Sequence, residues 1–415
     1  MKVFKFGGAS VKDADSIKNI AAILKYEKAK NIWVVISAMG KMTNAFEKVV
    51  HTYIKGDGPE NEIEKIADFH FDIMSGLFTK SDPIYDEVNN LLDTLSFFFA
   101  QNKNTNYNFI YDQVVCFGEL IATKIVSAYF SKTEMGNHWL DARNLIKTDS
   151  NFRAARVDWK QTKKNINRHI KKGALTIVQG FIGSNDVNIT TTLGREGSDF
   201  TAGIFAHCLK AESVTIWKDV EGVLNADPRV FSETTLLKQI SYEEAIEMAF
   251  YGASVIHPKT IKPLENLEIP LYVRSFIDHK KAGTKVSKGA AIYPVTPCFI
   301  VKKNQILVSI SSLDFSFMVE SNISYIFKQL AAHRLKVNVI QNSAISFSVC
   351  IEDHFTNFNT FLEVLKSQYK IDFIKQLTLY TIRHFNEKSK NTILKRGTPV
   401  LTQINKETMQ IIIKE

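Results

Sequence analysis

The chain reads as an α/β protein with a largely parallel sheet, continued by a smaller α+β region, and three observations lead there. Short apolar runs at the amino terminus end in Gly- and Ser-rich turns, the first leading into an amphipathic helix. Further strand-like runs return after residue 174, with helical patterns between them. Beyond residue 300 the order becomes strand, helix, strand, strand, helix. Strands alternating with helices build a parallel sheet whose carboxyl-end loops bind ligands, whereas the last pattern is that of a ferredoxin-like unit.

The elements follow in order. Residues 3–6 form a β-like run, broken by Gly7-Gly8-Ala9-Ser10. Ile17, Ile20, Ala21 and Leu24 then recur at helical spacing. A second strand over residues 32–36 ends in the small polar turn Ser37-Ala38-Met39-Gly40-Lys41-Met42-Thr43-Asn44. From about residue 60 to 130 the pattern is mostly helical. In its last helix Val114, Phe117, Ile121 and Ile125 make the apolar stripe. Glu119 lies about 200° from both Phe117 and Ile121 at helical pitch, which predicts a solvated position or, failing that, a cleft.

Strands are predicted again over 174–178 and 214–217, with a polar loop, Lys218 to Arg229, after the second. Ser241 and Glu244 read as a capping box at a helix start, and a late strand covers 269–273. The tail contains predicted strands at 306–310, 337–340 and 345–351 and helices at 323–333 and 358–365, then a shorter strand, helix, strand, strand series over 377–413. It resembles one ferredoxin-like unit followed by a partial second copy.

Composition narrows the function classes. The chain has 415 residues, 45% hydrophobic and 23% charged, as in a soluble globular protein of two or three domains. No uninterrupted apolar run suits a membrane span, and Met1 to Gly7 looks like a strand rather than a signal peptide. Four widely spaced cysteines are expected as buried thiols in a reducing cytoplasm. The net charge of +9 comes from scattered lysines without interleaved aromatics, which argues against nucleic acid.

The stretch Thr192-Leu193-Gly194-Arg195-Glu196-Gly197-Ser198-Asp199 precedes a predicted helix over 200–210. Glycines, an arginine and free N–H groups at a helix start suit an anion. An ordinary loop capped by Ser198 is the alternative. No Walker-type loop, dinucleotide fingerprint or protein-kinase loop occurs. What recurs is a small-residue turn after each strand carrying one functional group: Lys5, Ser37, Arg195, Asp219. That set suits phosphoryl transfer, in which fixed cations and N–H groups hold spread negative charge.

Lys5-Phe6-Gly7-Gly8-Ala9-Ser10 resembles the Lys-Phe-Gly-Gly-Thr-Ser opening of aspartokinases, within the amino-acid kinase family. The resemblance continues in order through Val35 to Gly40 with Thr43-Asn44, Phe117-Gly118-Glu119, Gln179 to Gly183, Thr192 to Asp199, Trp217 to Arg229 and Gly252 to Pro258. It implies a three-layer α/β/α catalytic domain over residues 1–300 and an ACT-like regulatory region over 301–415 with one full and one truncated copy. The implied reaction is ATP-dependent phosphorylation of L-aspartate on its β-carboxylate, with Mg²⁺ accompanying ATP and no dedicated metal cluster. Lys5 and Asp199 are the implied catalytic residues. Ser37, Thr43, Glu119, Arg195 and Ser198 would bind aspartate. Lys5, Gly7, Gly8, Lys218, Asp219, Leu224, Asp227, Arg229 and Ser254 would meet the nucleotide. A homodimer through the ACT region and a lysine or threonine effector are implied as well.

The departures are specific. Ala9 replaces a usual threonine, Glu196 a glycine, Lys218 a threonine, Leu224 a tyrosine, Ser254 a nucleotide-binding lysine and Asn338 an effector-binding aspartate. No homoserine dehydrogenase domain is expected, since the chain stops at Glu415. Two rival readings remain: the same fold with glutamate or N-acetylglutamate as acceptor, or a catalytically weakened amino-acid sensor.

Overall fold

The computed structural model describes residues 1–28, 30–253, 256–314 and 316–415. Strand β1 (Lys2–Phe6) passes through a single 3₁₀ turn into α1 (Ala14–Tyr26), capped where Asp13 accepts the Ser16 N–H at 2.7 Å. Then come β2 (Ile32–Ile36), α2 (Met42–Ile54), α3 (Glu60–Ser75), α4 (Ile84–Gln101) and α5 (Tyr107–Lys132). Next are β3 (Asn137–Leu140), α6 (Ala142–Leu145), α7 (Trp159–Arg168), β4 (Leu175–Gln179), β5 (Ile182–Ser184) and β6 (Thr190–Thr192). After these come α8 (Gly197–Leu209), β7 (Ser213–Lys218), β8 (Gln239–Ser241), α9 (Tyr242–Tyr251), α10 (Pro258–Glu265), β9 (Leu271–Ser275) and β10 (Thr284–Ser287). Strand β11 (Cys298–Ser312), α11 (Glu320–Ala332), β12 (Lys336–Asn342), β13 (Ser346–Glu352), α12 (Phe358–Leu365), β14 (Tyr369–Arg383), α13 (Glu387–Leu394), β15 (Thr398–Asn405) and β16 (Thr408–Lys414) complete the chain.

The chain divides into two compact units. One comprises Met1–Val223, Leu236–Ile246 and the stretch from α10 to Pro294; the other comprises Leu224–Thr235, the second half of α9 and Val295–Glu415. In the first unit eight strands run in the order β3-β4-β2-β1-β7-β9-β10-β8. Every pairing is parallel except β9 with β10. The central strands are buried on both faces, which is why Ile32 to Ile36 is continuously apolar instead of alternating. Helix α5, backed by α2 and α4, forms one covering layer, and α8 with α7 and α10 forms the other.

Helix α5 is long and apolar enough to cross a bilayer, the one such helix among the described residues, yet 72% of its most apolar window is buried inside the protein. It is a core helix. Its burial reaches almost all the way round, so Glu119 takes the second of its two expected settings, a cleft and not solvent: the side chain is 1% exposed. An apolar stripe marks the most apolar face of a helix, but a helix wrapped on all sides has no solvated face to contrast with it. Helix α8 starts earlier than predicted, at Gly197, and its N-cap is Glu196 rather than Ser198. The short strands β3, β5, β6, β8 and β10 have too few residues to show a period and were not predicted.

The second unit holds a six-stranded antiparallel sheet, β12-β13-β11-β14-β16-β15. Strands β11 and β14 are each 15 residues long and pair along most of their length, with register shifts around Gln305. Each therefore serves two half-sheets. Helices α11 and α12 cover one apolar cluster, containing Phe347, Phe361 and Leu365. The other half-sheet has one helix, α13, and its cluster also takes in Ala226 and Phe231 from the 224–235 segment. All four cysteines are buried.

Candidate active site

Four adjacent strands of the parallel sheet, β4, β2, β1 and β7, bring their carboxyl ends to one place. Lys5 is the next-to-last residue of β1, a central strand of the sheet. The turns after these strands are laced together: Ser37 donates its N–H to Phe6 O at 3.2 Å, Gly40 to Gly8 O at 3.0 Å and Gly180 to Ile36 O at 2.8 Å. This packing leaves no room for side chains. A Cβ on Gly8 would stand 2.5 Å from Gly40 O, and one on Gly180 would stand 2.6 Å from the Ser198 Cβ.

Above these ends lies a cavity of about 570 Å³. Lys5, Ser37, Thr43, Glu119, Arg195, Ser198 and Asp199, seven residues singled out from the sequence, all line it. The Lys5 ammonium lies 2.6 Å from an Asp199 carboxylate oxygen, and Lys218 Nζ lies 3.8 Å from the other. Burial alone would raise the Asp199 carboxyl, but the Lys5 and Lys218 charges outweigh it and hold it below its ordinary value. Ser37 and Ser198 meet hydroxyl to hydroxyl at 3.2 Å.

Glu119 shows the opposite electrostatics. Burial pushes its carboxyl up to about 8, opposed by a backbone hydrogen bond from Ala38. Its Oε2 has no hydrogen-bond partner among the described residues. A buried acceptor facing a cavity with an unused lone pair is a place for a ligand's donor.

Local supports explain how α8 presents its first turn. Glu196 caps it in the left-handed region at φ 55°, which accounts for a glycine being common there. Thr201 accepts the Phe181 N–H at 2.9 Å and donates to Gly197 O at 2.8 Å, tying that turn to the loop after β4. Gln179 donates to Thr123 Oγ1 at 2.7 Å and accepts the Ala142 N–H at 2.7 Å, anchoring the end of β4 to α5.

The nucleotide candidates are distributed differently. Gly7 lies beside Lys5, with the position of an added Cβ 3.3 Å from its Nζ. Asp219 is exposed in the turn after β7. Leu224, Asp227 and Arg229 belong to the second unit, where Arg229 Nη2 pairs with Asp227 at 2.7 Å. Ser254 lies outside the described residues. His257 caps α10, its Nδ1 accepting the Lys259 N–H at 3.1 Å.

Of the other cavity residues, Asn44, Phe181, Gly194, Glu196 and Gly197 lie in stretches already singled out from the sequence, whereas Tyr111 and Arg153 do not. Tyr111 stands eight residues before Glu119, about 80° away around α5, so its helical position gave only a weak signal. Arg153 had none.

Comparison with known proteins places this geometry. Residues 1–275 match the amino acid kinase family. The chain is 31% identical over 356 residues to lysine-sensitive aspartokinase 3 of Escherichia coli, covering 84% of this chain and 78% of that protein. It is 30% identical over 387 residues to a chloroplastic bifunctional aspartokinase/homoserine dehydrogenase of Arabidopsis thaliana, 89% of this chain but 42% of that one. Among solved structures, E. coli aspartokinase III with lysine and aspartate (T-state) superposes with a TM-score of 0.83 at 27% identity, covering 100% of this chain and 96% of that one. The same enzyme with aspartate and ADP (R-state) gives 0.80 at 27% identity, with the same coverage. The chain belongs to the amino acid kinase family and, within it, to the aspartokinases.

Proposed function

We propose that the chain transfers the γ-phosphoryl group of ATP to the β-carboxylate of L-aspartate, making L-4-aspartyl phosphate, the first step toward lysine, threonine and methionine. The observation that carries this is the single cavity joining the Lys5–Asp199 pair to Arg195, Glu119 and the two serines. The aspartate and ADP held by E. coli aspartokinase III support it.

In this reading Arg195 grips the α-carboxylate with its planar fork, and the α-amino group donates to Glu119. Ser37, Thr43 and Ser198 fix the acceptor's orientation. Lys5, aimed by Asp199, neutralises charge on the transferring phosphoryl group, while the Gly7 and Gly8 backbone approaches it closely. A β-carboxylate oxygen attacks the γ-phosphorus, the bond to the bridging oxygen breaks, and ADP leaves. The carboxylate has no proton to lose, so no general base is required.

Lys218, Asp219, Leu224, Asp227, Arg229 and Ser254 are assigned to the nucleotide on the family pattern. The described residues contain no cluster of three metal-ligating side chains. This donor set does not fit a protein-held ion, so Mg²⁺ is assigned to the phosphates of ATP and no step is routed through it.

Lysine is the proposed effector, supported by the lysine-sensitive relative and the lysine-bound T-state structure. Asn338 is engaged by its own chain, accepting from Lys302 Nζ at 2.7 Å and donating to Gln305 Oε1 at 2.7 Å. Edge strands β12 and β15 offer unpaired backbone for a homodimer. The buried thiols fit a cytoplasmic setting.

The test is incubation with MgATP and L-aspartate, trapping acyl phosphate as hydroxamate, with L-glutamate and N-acetyl-L-glutamate as parallel acceptors. Hydroxamate from aspartate alone is expected, and lysine should lower its yield. Product only from another acceptor would reassign the substrate. No product from any acceptor would leave the amino-acid sensor.

A further inference from the structure

Arg153 occupies an unusual place. Its backbone has φ 68°, in the left-handed region that favours glycine, yet it carries one of the largest side chains. Its N–H is held by both oxygens of the buried Asp112 carboxylate, at 3.2 and 3.0 Å. The same carboxylate accepts the Thr192 N–H at 2.9 Å and the Thr192 hydroxyl at 2.7 Å, three residues ahead of Arg195. A Cβ on Gly194 would stand 3.0 Å from Arg153 O, so the two arginine-bearing loops touch. The Arg153 guanidinium lies 4.3 Å over the Tyr111 ring, is 3.6 Å from Glu47, and lines the same cavity as Arg195 and Glu119.

We infer that Arg153 is a specificity-determining residue, a second guanidinium that shares the acceptor's α-carboxylate with Arg195. The inference rests on the reading of this cavity as the aspartate site. Backbone strain argues against Arg153 as mere filling, since glycine would fit the turn better. Asp112 sets both loops at once, which fixes the spacing of the backbones that carry the two forks. Tyr111, which lines the cavity from α5 as Glu119 does, holds the Arg153 guanidinium over its ring beside the cavity.

The experiment compares wild type, Arg153→Gly and Arg153→Lys for aspartate KM, ATP KM, kcat and thermal midpoint. Arg153→Gly relieves the left-handed strain, so its midpoint should hold or rise. Its aspartate KM should rise by roughly ten- to a hundredfold, the loss of one charge-assisted contact, with ATP KM unchanged. Arg153→Lys keeps the charge without the fork and should fall between. An aspartate KM within twofold of wild type in both variants overturns the inference, whatever the midpoint does. Wild type that makes no aspartyl hydroxamate overturns instead the parent reading of the cavity. If Arg153→Gly fails to fold, Arg153→Lys decides alone.

Discussion

Glu119 stores its chemistry in a proton. Burial holds its carboxyl at about 8 against an ordinary value near 4.5, so the ligand-free protein keeps it neutral at pH 7. The folded value lies above the unfolded one. The stabilising contribution is therefore complete below the ordinary range and is lost as pH rises through about 8. The ligand-free thermal midpoint should decline between about pH 5 and pH 8 and level off above that, and Glu119→Gln should flatten the decline. If the α-amino group of aspartate binds here, it requires the ionised carboxylate, so binding near neutral pH should release a proton. Calorimetry in buffers of different ionisation enthalpy reads that release, and a zero value would remove Glu119 from the amino-group role. Asp112 is also pushed up, to about 6, by burial. Lys5 is the other decisive residue. Lys5→Met should lower kcat by roughly 10²–10³-fold, the scale for losing one fixed donor on developing charge. It should also lower the thermal midpoint, because Asp199 is 1% exposed and loses its nearest cation.

Turns rather than strands carry the precision at the scale of elements. The loops after β1, β2 and β4 are pressed together by backbone hydrogen bonds, and glycine is the residue that allows it. Gly180→Ala would place a methyl 2.6 Å from Ser198 Cβ and 2.9 Å from its Cα. The first turn of α8 must then shift, carrying Ser198 and Asp199 away from Ser37 and Lys5. The expected cost is about 1–3 kcal/mol of stability with a fall in kcat, checked by denaturant titration beside the hydroxamate assay. A kcat equal to wild type would mean that the turn is more compliant than its packing indicates. Most of these turns were legible, because Gly and Ser after an apolar run mark a strand-to-helix break. The start of α8 was placed three residues late, since Gly197 and Ser198 are poor helix formers by local preference and are held helical by Thr201 and the Phe181 loop.

The two units do not divide at a single point in the chain when the whole molecule is considered. Segment 224–235 and the second half of α9 group with the antiparallel sheet, although they precede residue 256 in sequence. Phe231 is 7% exposed, packed in a cluster with Tyr380, Ile382, Ile393 and Met409. A fragment comprising residues 1–300 would leave this side chain without its cluster, forfeiting about 1.5–3 kcal/mol from Phe231 alone. Such a fragment should aggregate or show a lower thermal midpoint than the full chain, and rapid proteolysis within 224–235 should accompany it. A fragment as stable as the full chain would mean that the segment's burial contributes little.

Sequence by itself determined the fold class, most of the longer strands and helices, and seven cavity residues; six of these sit in short motifs beside strand ends, and Glu119 rests on the resemblance alone. Local motifs survive in a linear reading since neighbouring residues make them. Tertiary structure alone decided that Glu119 is buried, that Arg153 enters the cavity through Asp112, and that Phe231 belongs to the second unit. These are contacts between residues far apart in the chain, and neither periodicity nor composition encodes which distant surface will cover a given side chain.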